Sequence, residues 1–320
     1  PLTALADAAS IDFIRAVVDQ RSVKTDEEVV EIEKAVATSV EMHTAAIRMA
    51  RPGMRESEIA AEVERIAVAA GGRISFPVIA TIRGETLHNH LHGNILSEGD
   101  LFLLDCGAET AMGYAGDLSS TFPVSPKFSD RQRTIYEIQL AAQKAAVDLL
   151  APGVANRDVH FAAARVIAEG MKGLGLMKGD IDEALAAGAH AMFFPCGTGH
   201  MMGLDVHDME DLGDVVGYPE GESRSTQFGL AFLRMTRPLE PGHVVTVEPG
   251  IYFIPALIDQ RRDEGRHTEF IDYDRVDGYK GFGGIRIEDD VLITDDAFRV
   301  LGPGIPKTVD EVEAACRNSE

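Results

Sequence analysis

The sequence has no tryptophan, three cysteines and far fewer basic than acidic side chains. Cys106, Cys196 and Cys316 are too few to build a disulfide framework, which favours a reducing compartment. No apolar run approaches the roughly 20 residues of a membrane-spanning helix, and no secretory signal peptide is apparent. We therefore expect a cytoplasmic protein with no membrane partner.

The charge balance is strongly acidic, with 30 Lys and Arg against 52 Asp and Glu and a net charge of −22. Such a chain repels phosphate backbones and anionic lipids, so we expect no nucleic-acid partner. With 45% hydrophobic residues over 320 positions, the chain can bury a large core, as one large domain or two ordinary ones.

Helical periodicity predicts two pairs of long helices. The first pair begins at a capping box formed by Thr25 and Glu28 and is interrupted by Pro52-Gly53. The second pair begins near Lys127 and is interrupted in the same way by Pro152-Gly153. The two Pro-Gly turns lie 100 residues apart, which suggests an internal duplication of half-domains.

Short apolar segments follow each helix pair and are grouped as strand hairpins. Paired helices and hairpins indicate an α+β fold rather than alternating βαβ units. The charge-rich residues 255–280 are predicted to be a surface excursion, and the chain after Pro306 to end in a short helix. A further short helix is expected at residues 11–18. The strand-like segments are 77–82, 101–104, 118–124, 244–247, 250–253, 285–288 and 291–293.

The most distinctive stretch runs from Cys196 to Asp208 and contains His200 and His207. Its glycines allow close backbone approach or positive φ. Residues 204–206 are predicted to be a short strand, whose alternation would point Asp205 and His207 to the same face. Taken alone, such histidines are more often satisfied core residues than ligands.

Four carboxylates lie in or at the end of apolar strands, where burial without a partner is costly. One interpretation is four ordinary strand ends, each neutralised by its own basic residue. The alternative is that the four converge with His200 around cations, because grouped like charges need them. An oxygen-rich shell of this kind favours Mn(II), Co(II) or Zn(II), in a pair about 3.5 Å apart that lowers the pKa of a shared water. The four are Asp105, Asp117, Glu248 and Glu288.

In five ordered motifs the chain resembles the pita-bread metallopeptidases, specifically the Xaa-Pro aminopeptidase and Xaa-Pro dipeptidase (prolidase) branch. The resemblance extends from about Arg21 to Thr294. It implies the pita-bread (creatinase/aminopeptidase) fold, a curved antiparallel sheet flanked by two helix pairs with internal pseudo-twofold symmetry. The motifs are Asp105–Glu109, Gly113–Asp117, Gly197–His200 with Gly203–Asp208, Val247–Tyr252 and Ile285–Asp290.

The resemblance also implies two divalent metal ions, Mn(II) first, with Co(II) or Zn(II) as alternatives. Asp117 and Glu288 would bridge the ions. Asp105 would hold one ion, and His200 and Glu248 the other. Glu248 would also accept a proton from the bridging water.

Three further residues receive roles from the resemblance. His207 would contact the scissile amide and stabilise the oxyanion. His88, which lies 17 residues before the first ligand, would bind substrate, whereas His90 and His92 are assigned to the loop. Arg286 would share a strand face with Glu288 and support the ligands or contact substrate, and the alternative is a plain cross-strand ion pair.

Three features depart from the usual family pattern. Cys196 stands where histidine is frequent, and Ser120 stands where arginine is more usual. Ser119 is expected to hydrogen-bond a ligand carboxylate. The separation of 12 residues between Asp105 and Asp117 is one longer than in many relatives.

The resemblance implies that residues 1–24 are a linker and short helix left from an absent N-terminal domain, and that residues 25–320 are the catalytic domain. The implied reaction is hydrolysis of the Xaa-Pro bond at a peptide N terminus, by attack of a hydroxide that bridges the metals. The implied substrate is a peptide with proline at its second position, and the implied assembly is a homodimer. Two alternatives stay open: a catalytically inactive pita-bread binding or chaperone module, and a metal-independent creatinase-like amidinohydrolase. Retention of all five ligands weighs against both.

Overall fold

The computed structural model describes residues 9–317 and has the predicted α+β architecture. Its helices are α1 (Ile11–Ser22), α2 (Asp26–Met49), α3 (Glu56–Ala69), α4 (Asp130–Asp148), α5 (Asn156–Gly173), α6 (Ile181–Ala187), α7 (Pro255–Asp263), α8 (Tyr273–Asp277) and α9 (Val309–Arg317). Its strands are β1 (Arg73–Ile74), β2 (Ile79–Thr81), β3 (Leu101–Cys106), β4 (Ala108–Glu109), β5 (Leu118–Pro123), β6 (Val244–Val247), β7 (Gly250–Tyr252), β8 (Gly284–Arg286), β9 (Asp289–Ile293) and β10 (Phe298–Val300).

Local capping sets where the long helices begin. The predicted capping box of α2 is present, with Glu28 N donating to Thr25 Oγ1 at 3.3 Å and Thr25 N donating to Glu28 Oε2 at 2.8 Å. Helix α4 begins later than predicted because Ser129 and Gln132 form a second capping box. The short helix expected at residues 11–18 is α1, and it extends to Ser22.

The predicted duplication is visible in the helix pairs, since α2 packs against α3 and α4 packs against α5. Gly53 and Gly153 both have positive φ, 93° and 84°, a region that glycine adopts at little cost. Their amides donate to the carbonyls of Leu96 and Leu239, each at 2.8 Å. Each half therefore turns between its two helices in the same way.

The strands form four antiparallel ladders with the orders β2-β3-β5, β10-β9-β6, β1-β4 and β7-β8. The ladders of the two halves meet where Glu288 N donates to Ser119 O at 3.1 Å. Beside this bond, Asp117 N donates to Asp290 Oδ2 at 2.9 Å. The junction brings the strand ends of both halves to one place, which is where the predicted carboxylates lie.

Apolar side chains fill the space between the helices and the strands. Phe102 and Phe122 are direct cross-strand neighbours on β3 and β5, with ring centroids 5.4 Å apart. Ile32 of α2 and Ile135 of α4 are fully buried, and burial of such a side chain stabilises by roughly 1.5–3 kcal/mol. The strands that carry the site are thus held on a rigid core.

Residues 255–280 lie mostly at the surface, as predicted, but they are more structured than their charge alone indicated. They form α7 and α8 and bury Ile258 and Val276, so the segment packs on the core through an apolar face. The chain after Pro306 does end in a short helix, α9. Across residues 9–317, no helix has both the length and the apolarity to cross a bilayer.

Candidate active site

One cavity of about 710 Å³ contains every side chain that was predicted to bind metal or to act in catalysis. Its polar side is formed by strand ends and by the loop that carries the two histidines. The predicted residues that line it are Asp105, Asp117, His200, Glu248 and Glu288, together with His88, His207 and Arg286. Residues separated by about 200 positions along the chain thus face one space.

The four carboxylates enter the cavity from the strand junction. Asp105 lies on β3, and Asp117 immediately precedes β5. Glu248 immediately follows β6, and Glu288 lies between β8 and β9. The prediction of carboxylates in or at the end of strands is confirmed, since Asp105 lies within β3 and the other three lie next to strand ends.

Three side chains form the closest group. Asp117, His200 and Glu288 each offer one ligand atom, and these atoms all lie within 4.8 Å of one another. His200 Nε2 lies 3.3 Å from Asp117 Oδ2 and 3.7 Å from Glu248 Oε1. His200 Nδ1 donates to Met201 O at 3.0 Å, which leaves the lone pair of Nε2 facing the carboxylates.

The donor set fits a divalent cation. Asp117 Oδ1 and Glu288 Oε1 are buried, and neither has a hydrogen-bond partner among the described residues. Burial, followed by the charges of neighbouring carboxylates, raises the pKa of both groups well above the usual range. Unsatisfied buried oxygens with mutual repulsion are costly, and a cation bound between them would remove both costs.

Asp105 is held differently from the other carboxylates. Arg286 donates from its NH2 group to Asp105 Oδ2, from Nε to Ser119 Oγ at 2.8 Å, and from NH1 to the Tyr252 hydroxyl at 2.8 Å. The Ser119 hydroxyl in turn donates to Glu288 Oε2 at 2.7 Å, as the sequence predicts. Arg286 therefore makes a cross-strand ion pair and also links two of the predicted ligands.

The histidine loop contains a network that the sequence analysis missed. His207 Nδ1 lies 2.6 Å from Glu210 Oε2, and Arg234 Nε donates to the same carboxylate at 3.1 Å. The hydrogen bond with His207 is the main cause that lowers the pKa of Glu210 to about 2. The spacing of three residues between His207 and Glu210 is a usable sequence signal, whereas no local pattern points to Arg234.

The predicted strand at residues 204–206 is wrong, because these residues form a series of bends. Asp208 N donates to Met201 O at 2.9 Å and folds the segment back on itself. Asp205 and His207 consequently do not share a face. Asp205 is exposed and pairs with Arg21 at 3.0 Å, while His207 faces the cavity with its ring centroid 4.2 Å from that of His200.

The histidines near His88 lie in a loop, as predicted. His88 lines the cavity, and burial followed by the charge of Arg286 lowers its pKa. His90 also lines the cavity, which its assignment as a plain loop residue did not anticipate. His92 instead bonds the carbonyl of Val78 at 2.9 Å.

The two unusual positions have local explanations. Cys196 lines the cavity, and burial raises the pKa of its thiol to about 12, so it is neutral. Ser120 is buried, and its hydroxyl lies 2.7 Å from His43 Nδ1. The serine at this position therefore serves as a hydrogen-bond partner of His43.

An apolar wall, formed by side chains that the sequence did not predict, also lines the cavity. Most of it comes from the turns before β6 and from the start of α7, and the rest from segments on either side of β2. Its larger side chains are Phe228, Phe232, Ile254 and Leu257, joined by Phe76 and Leu87. Such a wall suits a ligand with an apolar part near its reacting group.

Comparisons with known proteins place the chain in a family. A family model described as metallopeptidase family M24 matches residues 30–295. The chain is 36% identical over 306 residues to the Xaa-Pro dipeptidase of Homo sapiens, an alignment that covers 93% of this chain and 60% of that protein.

Two solved structures have a similar fold. Pseudomonas aeruginosa aminopeptidase PepP has a TM-score of 0.79 and 34% identity, covering 97% of this chain and 63% of that one. Zn-substituted Escherichia coli aminopeptidase P in complex with product has a TM-score of 0.78 and 32% identity, covering 96% and 62%. These likenesses confirm the predicted pita-bread fold. The chain spans less than two thirds of the length of each of these proteins.

Proposed function

Because the chain belongs to metallopeptidase family M24, we propose that it is a metal-dependent exopeptidase that hydrolyses the Xaa-Pro bond at the N terminus of peptides. The observation that carries the proposal is the buried group of Asp117, His200 and Glu288 with two oxygens that lack partners. The similar human protein is named an Xaa-Pro dipeptidase, which supports this substrate class.

Two divalent ions would be held by the five predicted ligands. Asp117 and Glu288 would help to hold both ions. His200 and Glu248 would hold one ion and Asp105 the other, while Arg286 engages one oxygen of Asp105. When bound, the ions supply a Lewis acid and a water of lowered pKa that can attack an amide carbonyl. Mn(II) is our first candidate, with Co(II) and Zn(II) as alternatives, and the Zn-substituted relative supports a site that accepts divalent metals.

Residues of this chain would handle the proton and the substrate. Glu248 is the candidate proton acceptor, and its backbone is fixed by a bond from its N–H to Thr198 O at 2.7 Å. The Nδ1–H of His207 donates to Glu210, so Nε2 is the atom left for the substrate. It would donate to the carbonyl oxygen that gains charge when the ring carries a proton on both nitrogens. His88 would bind the peptide from the opposite loop. Arg286 would fix the position of Asp105 directly and that of Glu288 through Ser119.

The apolar wall would receive the proline ring. Phe228 and Phe232 lie on this wall, and their rings are 5.8 Å apart. A rigid, uncharged ring loses little conformational freedom there and covers apolar surface. This arrangement favours proline over a charged residue at the second position.

The test measures release of the first residue from an Xaa-Pro dipeptide and an Xaa-Pro-Xaa tripeptide, with Mn(II), Co(II), Zn(II) or EDTA present. Metal-dependent release that fails for Xaa-Ala peptides supports the proposal. Glu288→Gln should abolish release and reduce metal uptake, whereas Glu98→Gln, an exposed carboxylate, should leave both unchanged. Absence of release with every metal, despite bound metal, would reject the peptidase function.

Three further proposals accompany this one. We propose residues 25–320 as the catalytic domain and 1–24 as a linker, where α1 is observed at Ile11–Ser22. We propose a cytoplasmic location, which agrees with the thiols of Cys106 and Cys196. We propose a homodimer, to be measured by light scattering after size-exclusion chromatography.

A further inference from the structure

The first helix of each half carries two buried polar residues at matching positions. Ser39 and His43 lie on α2, and Gln139 and Gln143 lie on α4, so each residue has its counterpart 100 positions away. All four are buried. A spacing of four residues places each pair on one helix face, and both pairs point at the strands that carry the predicted metal ligands.

In the first half, the pair reaches the strand segment beside Asp105. Ser39 Oγ accepts from Ala108 N at 2.9 Å. His43 contacts Cys106 O at 3.2 Å and the Ser120 hydroxyl at 2.7 Å. Burial lowers the pKa of His43 to about 4, so the ring is neutral and serves as a hydrogen-bonding group.

In the second half, the pair reaches the residues that directly follow two predicted ligands. Gln139 donates from Nε2 to the carbonyl of Pro249, next to Glu248. Gln143 donates from Nε2 to Asp289 Oδ2, next to Glu288, and Lys307 binds the other oxygen of Asp289. Gln139 thus binds a backbone carbonyl and Gln143 a side-chain carboxylate, and each of these groups lies one residue away from a carboxylate in the cavity.

A role in fold stability alone explains these glutamines poorly. Gln139 Oε1 is buried and has no partner among the residues described, so this side chain carries a desolvation cost that methionine or leucine would avoid. Apolar residues of similar size pack well at such helix positions. The feature that an apolar residue would lose is the hydrogen bond to the strand end.

We propose that Gln139 and Gln143 are positioning residues that hold Glu248 and Glu288 in a geometry able to bind metal, as Ser39 and His43 do for Asp105. The inference rests on the proposed metal centre. In this interpretation α2 and α4 have the same role, because buried polar side chains on each helix fix the positions of strand ends that carry predicted ligands. Loss of partners that orient metal ligands typically lowers metal affinity by about 10–100-fold.

The experiment titrates Mn(II) into metal-free wild type, Gln139→Met and Gln143→Met by calorimetry, with thermal unfolding measured in parallel. We expect each variant to bind Mn(II) about tenfold more weakly while retaining the wild-type circular dichroism spectrum. The matched control is Val147→Ala, a buried position on the same helix, which should lower the melting temperature and leave metal affinity unchanged.

The outcomes separate this inference from the proposed function. If wild type binds metal and both glutamine variants bind it equally well, the positioning role is overturned while the metal centre stands. If wild type binds no metal, the proposed function and the positioning role both fall. Should a glutamine variant not fold, Ser39→Ala tests the same role on α2 by removing one hydroxyl, and a tenfold loss of affinity there supports it.

Discussion

His207 Nδ1 lies 2.6 Å from Glu210 Oε2, in a hydrogen bond that orients the imidazole ring toward the cavity. Arg234 Nε donates to both oxygens of the same carboxylate, at 3.2 and 3.1 Å. The pKa of Glu210 is lowered to about 2, chiefly by the hydrogen bond with His207. A depressed carboxylate pKa means that Glu210 stays ionised at every pH above that value, so this orientation persists through the range of any peptidase assay.

Glu210→Gln should lower kcat for Xaa-Pro cleavage by roughly tenfold, since it removes the charged partner that orients His207 toward the reacting carbonyl. The effect should appear in kcat more than in KM, because His207 would act on charge that develops during the reaction. Asp211→Asn removes the same charge from the adjacent exposed position and should have no effect. Equal kcat values for the two variants would contradict the role of Glu210.

The pH dependence of stability in the metal-free protein reports on Glu288. Burial and neighbouring carboxylates raise its folded-state pKa above the ordinary 4.5. The folded state then binds more protons than the unfolded state, so the stability that this group contributes is complete below about pH 4 and is lost as pH rises through the folded-state pKa. As pH rises, the unfolding free energy of metal-free wild type should therefore fall, relative to that of Glu288→Gln, by up to about 1.4 kcal/mol per pH unit.

Urea unfolding of both proteins from pH 5 to pH 8 measures this difference, with EDTA present. Added Mn(II) should stabilise only wild type and should release protons, which appears as a dependence of the binding enthalpy on the buffer. A stability difference that is constant with pH would show that Glu288 is not protonated in the folded protein.

Lys24 and Asp208 form a buried ion pair at 2.9 Å, with side-chain exposures of 2% and 1%. Lys24→Met should cost roughly 3 kcal/mol of unfolding free energy, because it leaves a buried carboxylate with less compensation. Asp208→Asn in the same background should recover part of the loss. Lys34→Met, which breaks an exposed pair with Glu31, should change stability by less than about 1 kcal/mol, and an equal effect at both lysines would refute the assignment.

The thiol of Cys196 should react slowly in the native protein. Its pKa is raised to about 12 by burial, so almost none of it is the nucleophilic thiolate at pH 8. Mass spectrometry after iodoacetamide treatment should find Cys196 unmodified in native protein and modified after unfolding in urea. Rapid native labelling would mean that the thiol is ionised and belongs to the reactive groups of the cavity.

The sequence was most informative where the signal is local. Thr25 and Glu28 predicted the start of α2 because a capping box needs only four consecutive residues. Pro52-Gly53 and Pro152-Gly153 predicted both turns, since glycine adopts the required positive φ there. The candidate carboxylates were recognised because a carboxylate that follows an apolar run is costly to bury without a partner.

The local rules failed where contacts between distant segments decide the conformation. Residues 204–206 have strand-like composition, yet Asp208 is drawn toward Lys24 and Arg21 and the segment bends. Residues 255–280 lie largely at the surface, as their charge indicates, but only the fold shows that Ile258 and Val276 anchor them on the core.

The sequence by itself determined the helix pairs, their duplication and the identity of the carboxylates and histidines, because each depends on residue type and short spacing. Only the tertiary structure decided that Arg286 pairs with Asp105, that Glu210 and Arg234 support His207, and that Gln139 and Gln143 reach the strand ends. Those partners are separated by up to 181 positions, and what joins them is the shape of the core, which no short stretch of the chain encodes.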